Sequence, residues 1–230
     1  MKNVITILKK QLTDTIKNKT VLLQFILFPV MSLIMENLIH MDGMPEHYFM
    51  ILFSIMYIGM APLTATAAII AEEKEKNTLR VLMMAGVKPG QYLLGIGSYV
   101  WVICMIGATI MGVSAGLSAE TLVFYYVITG VGFLASILLG ASVGVFAKNQ
   151  MMATSIVMPV MLVFAFLPMI SMFNDTIEKV AKLTYTGQMN LLLFDMHFDQ
   201  LCTQNVGIIF CNLILFAILF CVAFKKNGLD

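Results

Sequence analysis

Charged residues are scarce in this sequence. Only 12% of its 230 residues are Asp, Glu, Lys or Arg, whereas about a quarter of an average soluble domain is charged. Hydrophobic residues make up 60% of the chain, and a soluble domain of this length cannot cover so many of them with polar surface. The composition therefore argues against a soluble enzyme or a disordered regulator, and it indicates an integral membrane protein.

Cysteine and nucleotide-binding motifs are also lacking. The chain has 4 cysteines, and no two of them form a C-x-x-C pair, so neither a disulfide framework nor a metal site is predicted. No G-x-x-x-x-G-K-[ST] segment occurs, and this is the loop whose backbone N–H groups hold nucleotide phosphates. We therefore expect no catalytic residue, metal or cofactor on this chain, and any nucleotide must bind elsewhere.

Long apolar runs take up most of the sequence. A membrane-spanning helix needs about 20 predominantly apolar residues to cross about 30 Å of hydrocarbon. Six runs meet this length, so the predicted fold is a single all-α integral membrane domain over residues 1–230, with six transmembrane helices. The first run is expected to be retained, because its end offers no small-x-small cleavage site. The predicted spans are residues 21–39, 48–71, 92–117, 122–146, 151–173 and 206–224.

Basic residues are concentrated on one side of this arrangement. Of the 14 Lys and Arg residues, all except Lys179 and Lys182 lie in the two terminal segments or in the second and fourth loops. Cytoplasmic loops of membrane proteins carry an excess of Lys and Arg. The distribution therefore predicts that both termini are cytoplasmic.

The first 20 residues are expected to form a helix on the membrane surface. Apolar residues recur there at helical spacing, and lysines occupy the opposite face, which is the pattern of a helix in the interface between lipid and water. The alternative is a basic flank that only orients the first span. The apolar residues of this face are Ile5, Leu8, Leu12 and Ile16.

The longest loop on the outer side, residues 174–205, is apolar in part. Its segment Leu191–Phe194 is hydrophobic but far too short to span a membrane. The loop therefore predicts short helices that turn back into the outer leaflet. Such a re-entrant segment is stable only where protein or a water-filled cavity satisfies its backbone.

The cytoplasmic loop over residues 72–91 contains a predicted short amphipathic helix. Three glutamates precede this helix, at the end of a span where the helix dipole favours cations instead. Leu79, Leu82 and Met83 then form an apolar stripe, and Gly86 ends the helix before the next span begins. Such a helix is suited to docking into the groove of another protein. The alternative is a solvated loop with an ordinary helical turn.

These residues resemble a known family, the ABC-2 type permeases. Members have an acid-rich helix end, a Gly-Thr-Leu-like step, a Leu-rich turn, a Pro and a Leu-Leu-Gly step. Asn77 replaces the usual Gly, and Asn tolerates the same left-handed backbone. The matching segments are Glu72–Leu79, Val81–Leu82, Val87–Pro89 and Leu93–Gly95.

The resemblance extends over essentially the full chain and implies an exporter fold of the type V kind. It implies that the loop carries the coupling helix, which contacts a separate ABC ATPase that binds ATP and Mg²⁺. Two ATPase copies and a second permease, identical or related, would complete the transporter in a bacterial cytoplasmic membrane. No nucleic acid is expected as a partner. The residues expected to couple to the ATPase are Glu72, Glu73, Glu75, Asn77, Thr78, Leu79, Leu82, Met83 and Pro89.

Several side chains within the spans are candidates for lining a substrate path. An acid inside a span faces a cavity or a partner by default, and Glu36 is the one acid within a predicted span. Methionine suits surfaces that contact varied apolar ligands, although helix seams use it as well. In the family, the second and fifth spans flank the path. The candidate path residues are Gln24, Glu36, Met158, Met161 and Met169.

Two glycine pairs have the spacing that lets membrane helices pack closely. They are Gly112-x-x-x-Gly116 and Gly140-x-x-x-Gly144. Such pairs are common in membrane helices, so they predict packing and not function.

The predicted function is export of an amphipathic or apolar substrate, such as a peptide antibiotic or a drug, because the outer loops leave no large domain to receive cargo. Lipid-linked glycan export and sodium extrusion are alternatives with the same architecture. A membrane anchor or sensor that recruits an ATPase would have a similar loop. An intramembrane enzyme is a further alternative, although no His lies within a predicted span to complete a catalytic site.

Overall fold

The computed structural model describes residues 7, 19–39, 43, 45–198 and 201–226. The described part of the chain is all-α and 86% helical. The predicted surface helix over residues 1–20 lies outside the described residues, apart from residues 7, 19 and 20. The helices are α1 (Lys19–Leu38), α2 (Tyr48–Glu75), α3 (Thr78–Met84), α4 (Pro89–Ser114), α5 (Ala119–Phe146), α6 (Gln150–Ser171), α7 (Asp175–Ala181), α8 (Tyr185–Asp195) and α9 (Thr203–Lys226).

Five of these helices, α2, α4, α5, α6 and α9, are long and apolar enough to cross a membrane. They confirm the prediction of an all-α, membrane-embedded fold. The first predicted span, 21–39, forms α1, whose apolar part Leu22–Leu38 is shorter than the other five helices. A membrane crossing by α1 therefore stays a prediction.

The connections between the long helices gather at two ends of the bundle. We call the end with residues 72–91 and 147–149 the proximal end, and the end with residues 45–47 and 115–118 the distal end. The predicted span 48–71 continues as a helix to Glu75 at the proximal end. Hydropathy marks only where the apolar run stops, whereas Glu and Lys are good helix formers that prolong α2 beyond it.

Helix α2 lies at the centre of the bundle. It packs most extensively against α5 and α6, and it also contacts α1, α4 and α8. Tyr57, Leu63 and Ile70 on α2 are completely buried. Because lipid is as apolar as the face of such a helix, the position of α2 depends on close contact with its neighbours rather than on transfer out of water.

Helices α2 and α5 cross at very short range. A Cβ on Gly140 would overlap the Leu63 carbonyl oxygen, and a Cβ on Gly144 would lie 2.9 Å from the Ala67 carbonyl oxygen. Only glycine leaves room for another backbone at these positions. The prediction that this glycine pair packs two helices together is confirmed.

The two residues of the other glycine pair, Gly112 and Gly116, have different roles. A Cβ on Gly112 would lie 2.8 Å from the Leu122 Cδ1 atom, so Gly112 does occupy a close contact between α4 and α5. Gly116 has φ +72° and nothing within 4 Å of its Cβ position. The packing prediction for Gly116 is therefore wrong, because this residue provides the left-handed turn that follows α4.

The segment predicted to be re-entrant forms the short helices α7 and α8. The hydroxyl of Tyr185, the first residue of α8, lies 2.7 Å from Ser136 Oγ near the middle of α5. At the other end of α8, the Phe194 ring lies 6.3 Å from the ring of Tyr48, the first residue of α2. Helix α8 therefore runs from the middle of the bundle to its distal end. Its depth in the bilayer stays a prediction.

Polar side chains cap the N-termini of several helices. The side-chain oxygens of Ser118, Asn149, Asn174 and Thr184 each accept a hydrogen bond from a backbone N–H in the first turn of the following helix. Such caps satisfy N–H groups that have no partner within the helix and contribute about 1 kcal/mol each. They fix the starts of α5, α6, α7 and α8, and so keep the connections short.

Replacing Gly140 by Ala should force α2 and α5 apart, because the added methyl group would overlap the Leu63 carbonyl oxygen. Overpacking of this kind costs about 1–3 kcal/mol, so the thermal unfolding midpoint of the detergent-solubilised chain should fall by several degrees. Gly207→Ala is the matched control, since Gly207 lies within α9 and has nothing within 4 Å of its Cβ position. Equal midpoints for the two variants would contradict the close crossing.

Candidate functional site

At the proximal end, a left-handed turn separates α2 from the short helix α3. Asn77 makes this turn with φ +59°. Residues other than glycine adopt this conformation uncommonly, and Asn is among those that tolerate it best. The prediction that Asn77 takes the left-handed place of a glycine is confirmed.

Helix α3 ends in a second left-handed turn. Gly86 has φ +84°, and its N–H donates to the Met83 carbonyl at 2.9 Å, while the Val87 N–H donates to the Leu82 carbonyl at 3.1 Å. These two bonds form a Schellman motif, which satisfies carbonyl groups at a helix end. Pro89 is then the first residue of α4, so α3 is held between two turns of fixed geometry.

Glu73, in the last turns of α2, is buried inside the proximal end and only 6% exposed. Its Oε2 atom accepts a hydrogen bond of 2.6 Å from the hydroxyl of Tyr92, which is on α4 and completely buried. The Thr78 hydroxyl, at the start of α3, donates to the Glu73 carbonyl at 2.9 Å. A carboxylate is stable in such a place only when it is paired, and this pairing joins α2, α3 and α4.

The next two residues attach α2 to two more helices. Lys74 Nζ lies 2.6 Å from the Val145 carbonyl at the end of α5. Glu75 Oε2 accepts a hydrogen bond of 2.9 Å from the N–H of Gln150, the first residue of α6. The start of a helix favours an anion, so α6 stabilises a glutamate that the end of α2 disfavours.

The three glutamates expected to contact an ATPase differ in their surroundings. The structure places Glu73 inside the bundle, whereas Glu75 is exposed and Glu72 is half-exposed. Glu72 Oε1 lies 2.5 Å from Lys76 Nζ, one helical turn away. An exposed pair of this kind stabilises a helix by at most about 0.5 kcal/mol, so it contributes mainly charge to the surface.

Helix α3 turns its predicted apolar stripe toward the bundle. Leu79 is completely buried, and Leu82 and Met83 are half-buried. We call the opposite, exposed side of α3 the outward face. The outward face consists of Arg80, Val81 (63% exposed) and Met84 (81% exposed).

A cleft of about 240 Å³ lies between α1, α2 and α6. Gln24, Met158 and Met161, three of the predicted path residues, line it together. The Thr64 hydroxyl on α2 lies 2.8 Å from Gln24 Oε1 on α1. The other described residues of the lining are apolar except for Thr154, and none carries a formal charge.

Two further predicted path residues lie away from this cleft. Glu36 is at the distal end, where its Oε2 atom accepts a 2.9 Å hydrogen bond from the N–H of Met50 and its Oε1 atom lies 3.4 Å from His47 Nδ1. Met50 belongs to the first turn of α2, so the Glu36 carboxylate caps that helix and ties α1 to it. Met169 lies about two turns beyond Met161 on α6 and does not line the cleft.

A protein-family model described as ABC-2 family transporter protein matches residues 2–225. The chain belongs to the ABC-2 transporter family. The match covers nearly the whole sequence and confirms the predicted resemblance. A comparison with curated proteins finds no match.

Membership of the ABC-2 family identifies the chain as a membrane transport subunit. Such permeases normally work with an ABC ATPase and within a membrane. Within the described ranges, no group of three or more His, Cys, Asp or Glu side chains is placed to hold a metal ion.

The informative loop of this ABC-2 permease is predictable from its sequence, whereas the outward face of α3 is not. Apolar residues occur on both sides of this short helix, so periodicity alone does not show which side packs against the bundle. Thr64 was also missed, although a hydroxyl residue within an apolar span was a usable signal. Tyr92 gave no such signal, because a tyrosine at the start of a span is common at a membrane interface.

Replacing Asn77 by Val should loosen α3, because a β-branched residue at φ +59° is strained by about 1–2 kcal/mol. Asn77→Gly is the control and should be tolerated. Trypsin digestion of the detergent-purified chain measures the effect, since Arg80 lies within α3. We expect cleavage there to be several-fold faster in the Val variant and unchanged in the Gly variant, and equal rates in both would contradict a required left-handed turn.

Proposed function

We propose that this chain is the permease subunit of an ATP-driven exporter in a bacterial cytoplasmic membrane, with both termini in the cytoplasm. The ATPase docks on the outward face of α3, and an apolar or amphipathic substrate, such as a peptide antibiotic or a drug, occupies the cleft. The observation that carries the proposal is that a single helix, α2, connects α3 to the cleft. One end of α2 is bonded to α3 through Glu73 and Thr78, and its middle lines the cleft with Met60 and Thr64.

The outward face of α3 supports the assignment to ATPase docking. Val81 and Met84 expose apolar side chains next to the charge of Arg80, at the end of the bundle that the basic residues predict to be cytoplasmic. Exposed apolar side chains bordered by charge are typical of protein interaction sites. Since ABC-2 permeases normally work with an ABC ATPase, that subunit is the partner, present in two copies and carrying the ATP and Mg²⁺.

The position of the cleft supports uptake from the cytoplasmic side. Thr64 lies about three turns before the proximal end of α2, and Met158 lies about two turns after the start of α6. The cleft is therefore in the proximal half of the bundle. With cytoplasmic termini, this half corresponds to the inner leaflet, from which an apolar substrate would enter.

The lining of the cleft favours an apolar substrate over a glycan or sodium. Gln24, Thr64 and Thr154 are its polar side chains among the described residues, and the rest of the lining is apolar. Ligand sites for drug-like molecules have this composition, with a few polar groups that fix orientation. A glycan or a desolvated sodium ion needs many more oxygen and nitrogen partners, because an unpaired polar or charged group is unstable in an apolar site.

A second permease copy, identical or related, completes the path in this proposal. Only 22% of the apolar part of α6 is buried, and Met151, Met158 and Leu162 on it are exposed. The cleft of about 240 Å³ is also smaller than an ordinary ligand site, which measures about 300–1,000 Å³. A second copy packed along α6 would cover this face and enlarge the cleft into a shared cavity.

Met84→Asp should prevent the ATPase subunit from binding, because a carboxylate is destabilised when it enters an apolar groove. The tagged chain is purified from its native cells in mild detergent, and the co-purifying subunit with a nucleotide-binding motif is quantified by mass spectrometry. Leu183→Asp is the control, since Leu183 is also exposed and apolar, at 67%, but lies between α7 and α8.

The Met84 variant should lose most of the ATPase subunit, whereas the Leu183 variant should recover as much as the wild-type chain. Equal recovery by both variants would contradict docking on the outward face. A wild-type chain that recovers no such subunit would contradict the proposed function as a whole.

Met158→Trp should fill the cleft and block transport without affecting assembly with the ATPase. Ile218→Trp is the control, because Ile218 on α9 is as exposed as Met158, at 54% against 52%, and does not line the cleft. The measurement is the resistance of cells expressing the chain and its ATPase to a panel of membrane-active peptide antibiotics and lipophilic drugs. Resistance should fall only in the Met158 variant, and its retention there would contradict the assignment of the cleft.

A further inference from the structure

A buried hydrogen bond joins the two helices on either side of the short helix α3. Glu73 lies just before α3 and Tyr92 lies just after it, and the Tyr92 hydroxyl donates to Glu73 Oε2 at 2.6 Å. Both side chains are buried, at 6% and 0% exposure. Between them, α3 is joined to the long helices by the left-handed turns at Asn77 and Gly86.

We propose that Glu73 and Tyr92 are positioning residues that make α3 move as one body with the ends of α2 and α4. A force applied to α3 then displaces α2 instead of bending the two turns. The inference rests on the proposed docking of an ATPase at α3. It adds the residues through which that docking reaches the cleft.

The two turns are the places where α3 would otherwise pivot. A seven-residue helix is too short to be rigidly held by its own hydrogen bonds. Leu79 anchors one side of α3 in the bundle, and the Thr78 hydroxyl bonds to the Glu73 carbonyl at 2.9 Å. The Glu73–Tyr92 bond adds a direct link between the two helices on either side, so the turns cannot open independently.

The character of this bond suits a mechanical link. A hydrogen bond to a carboxylate is shorter and stronger than a bond between neutral groups, and burial protects it from competition with water. If the hydroxyl is removed, the buried carboxylate loses a donor, which is unfavourable in a place that excludes water. The bond therefore resists being pulled apart when α3 is displaced.

From Glu73 the connection continues to the walls of the cleft. The next residues of α2 bond to α5 through Lys74 and Val145, and to α6 through Glu75 and Gln150. Helices α2 and α6 are two of the three helices that form the cleft. Displacement of α3 would thus move both of these helices at their proximal ends.

The first experiment tests the link without an ATPase. Hydrogen–deuterium exchange of the full chain in detergent is compared for wild type, Tyr92→Phe and Tyr125→Phe. Tyr125 is the matched control, because its buried hydroxyl bonds to Ser54 Oγ at 2.8 Å in the distal half of the bundle. Tyr92→Phe should raise amide exchange over residues 76–91 by about tenfold, since opening of a local unit follows the loss of its strongest bond.

Tyr125→Phe should leave exchange over residues 76–91 unchanged, even if its thermal midpoint falls as far as that of Tyr92→Phe. Unchanged exchange in Tyr92→Phe, or an equal rise in both variants, would overturn the inference. Glu73→Gln keeps an acceptor for the Tyr92 hydroxyl and should exchange more slowly than Glu73→Ala. Equal exchange in these two Glu73 variants would also overturn it.

The second experiment tests transmission in the complex with the co-purified ATPase. An environment-sensitive fluorophore is attached at Met158→Cys in a chain whose exposed Cys202, Cys211 and Cys221 are replaced by Ser. ATP with vanadate should shift its emission. Tyr92→Phe should lose most of this shift while ATP hydrolysis stays within about twofold of the parent rate, because the nucleotide site is on the other subunit.

The outcomes separate the two proposals. A parent complex that binds no ATPase, or shows no ATP-dependent shift, overturns the proposed function and this inference with it. A parent shift that Tyr92→Phe retains overturns the inference alone. A shift lost equally in Tyr125→Phe would show a general structural effect and would overturn it as well.

Discussion

Polar groups that leave water must find partners within the protein, and this requirement governs where the helices of this bundle begin and join. The backbone meets it by forming helices throughout the apolar runs. Helix α8 begins inside the bundle because Thr184 caps its first turn and the Tyr185 hydroxyl reaches Ser136. At the proximal end, the same requirement pairs the Glu73 carboxylate with Tyr92. Each of these contacts between helices fixes a junction.

The two sides of the cleft differ in how firmly they are built. Helix α2 packs against α5 at Gly140 and Gly144, where the backbones of the two helices are in direct contact. Because no flexible side chain lies between them, a side-chain movement cannot accommodate a displacement of α2. Both helices contain proline, which removes a backbone hydrogen bond, with Pro62 in α2 and Pro159 and Pro168 in α6. The two helices differ in burial, since 67% of the apolar part of α2 is buried but only 22% of that of α6. The cleft thus lies between a largely buried helix, α2, and a largely exposed one, α6. This asymmetry suits α6 as the side that adapts to different contents.

Hydropathy and single-residue chemistry predicted much of the fold, because they depend on local sequence. Each of the six apolar runs contains a helix, and Asn77 takes the left-handed conformation that its identity allows. The partners of charged groups were not predictable in this way. Glu73 and Glu36 are paired with residues on or beside other helices, and their buried or capping roles follow from the packing of whole helices. The packing prediction for Gly116 is wrong because glycine is required both in close helix contacts and in left-handed turns, and the sequence does not distinguish the two.

The fixed turns on both sides of α3 have a consequence for its length. Successive residues of a helix are rotated by about 100° around its axis. One residue inserted into the seven residues of α3 would therefore rotate everything after it by more than a quarter turn, while Gly86 and Pro89 hold the far end in place. Met84 would leave the exposed side and a polar backbone turn would be forced against the bundle. The outward face of α3 can accordingly change its side chains without altering the packing of the bundle, but the register of α3 admits neither an insertion nor a deletion.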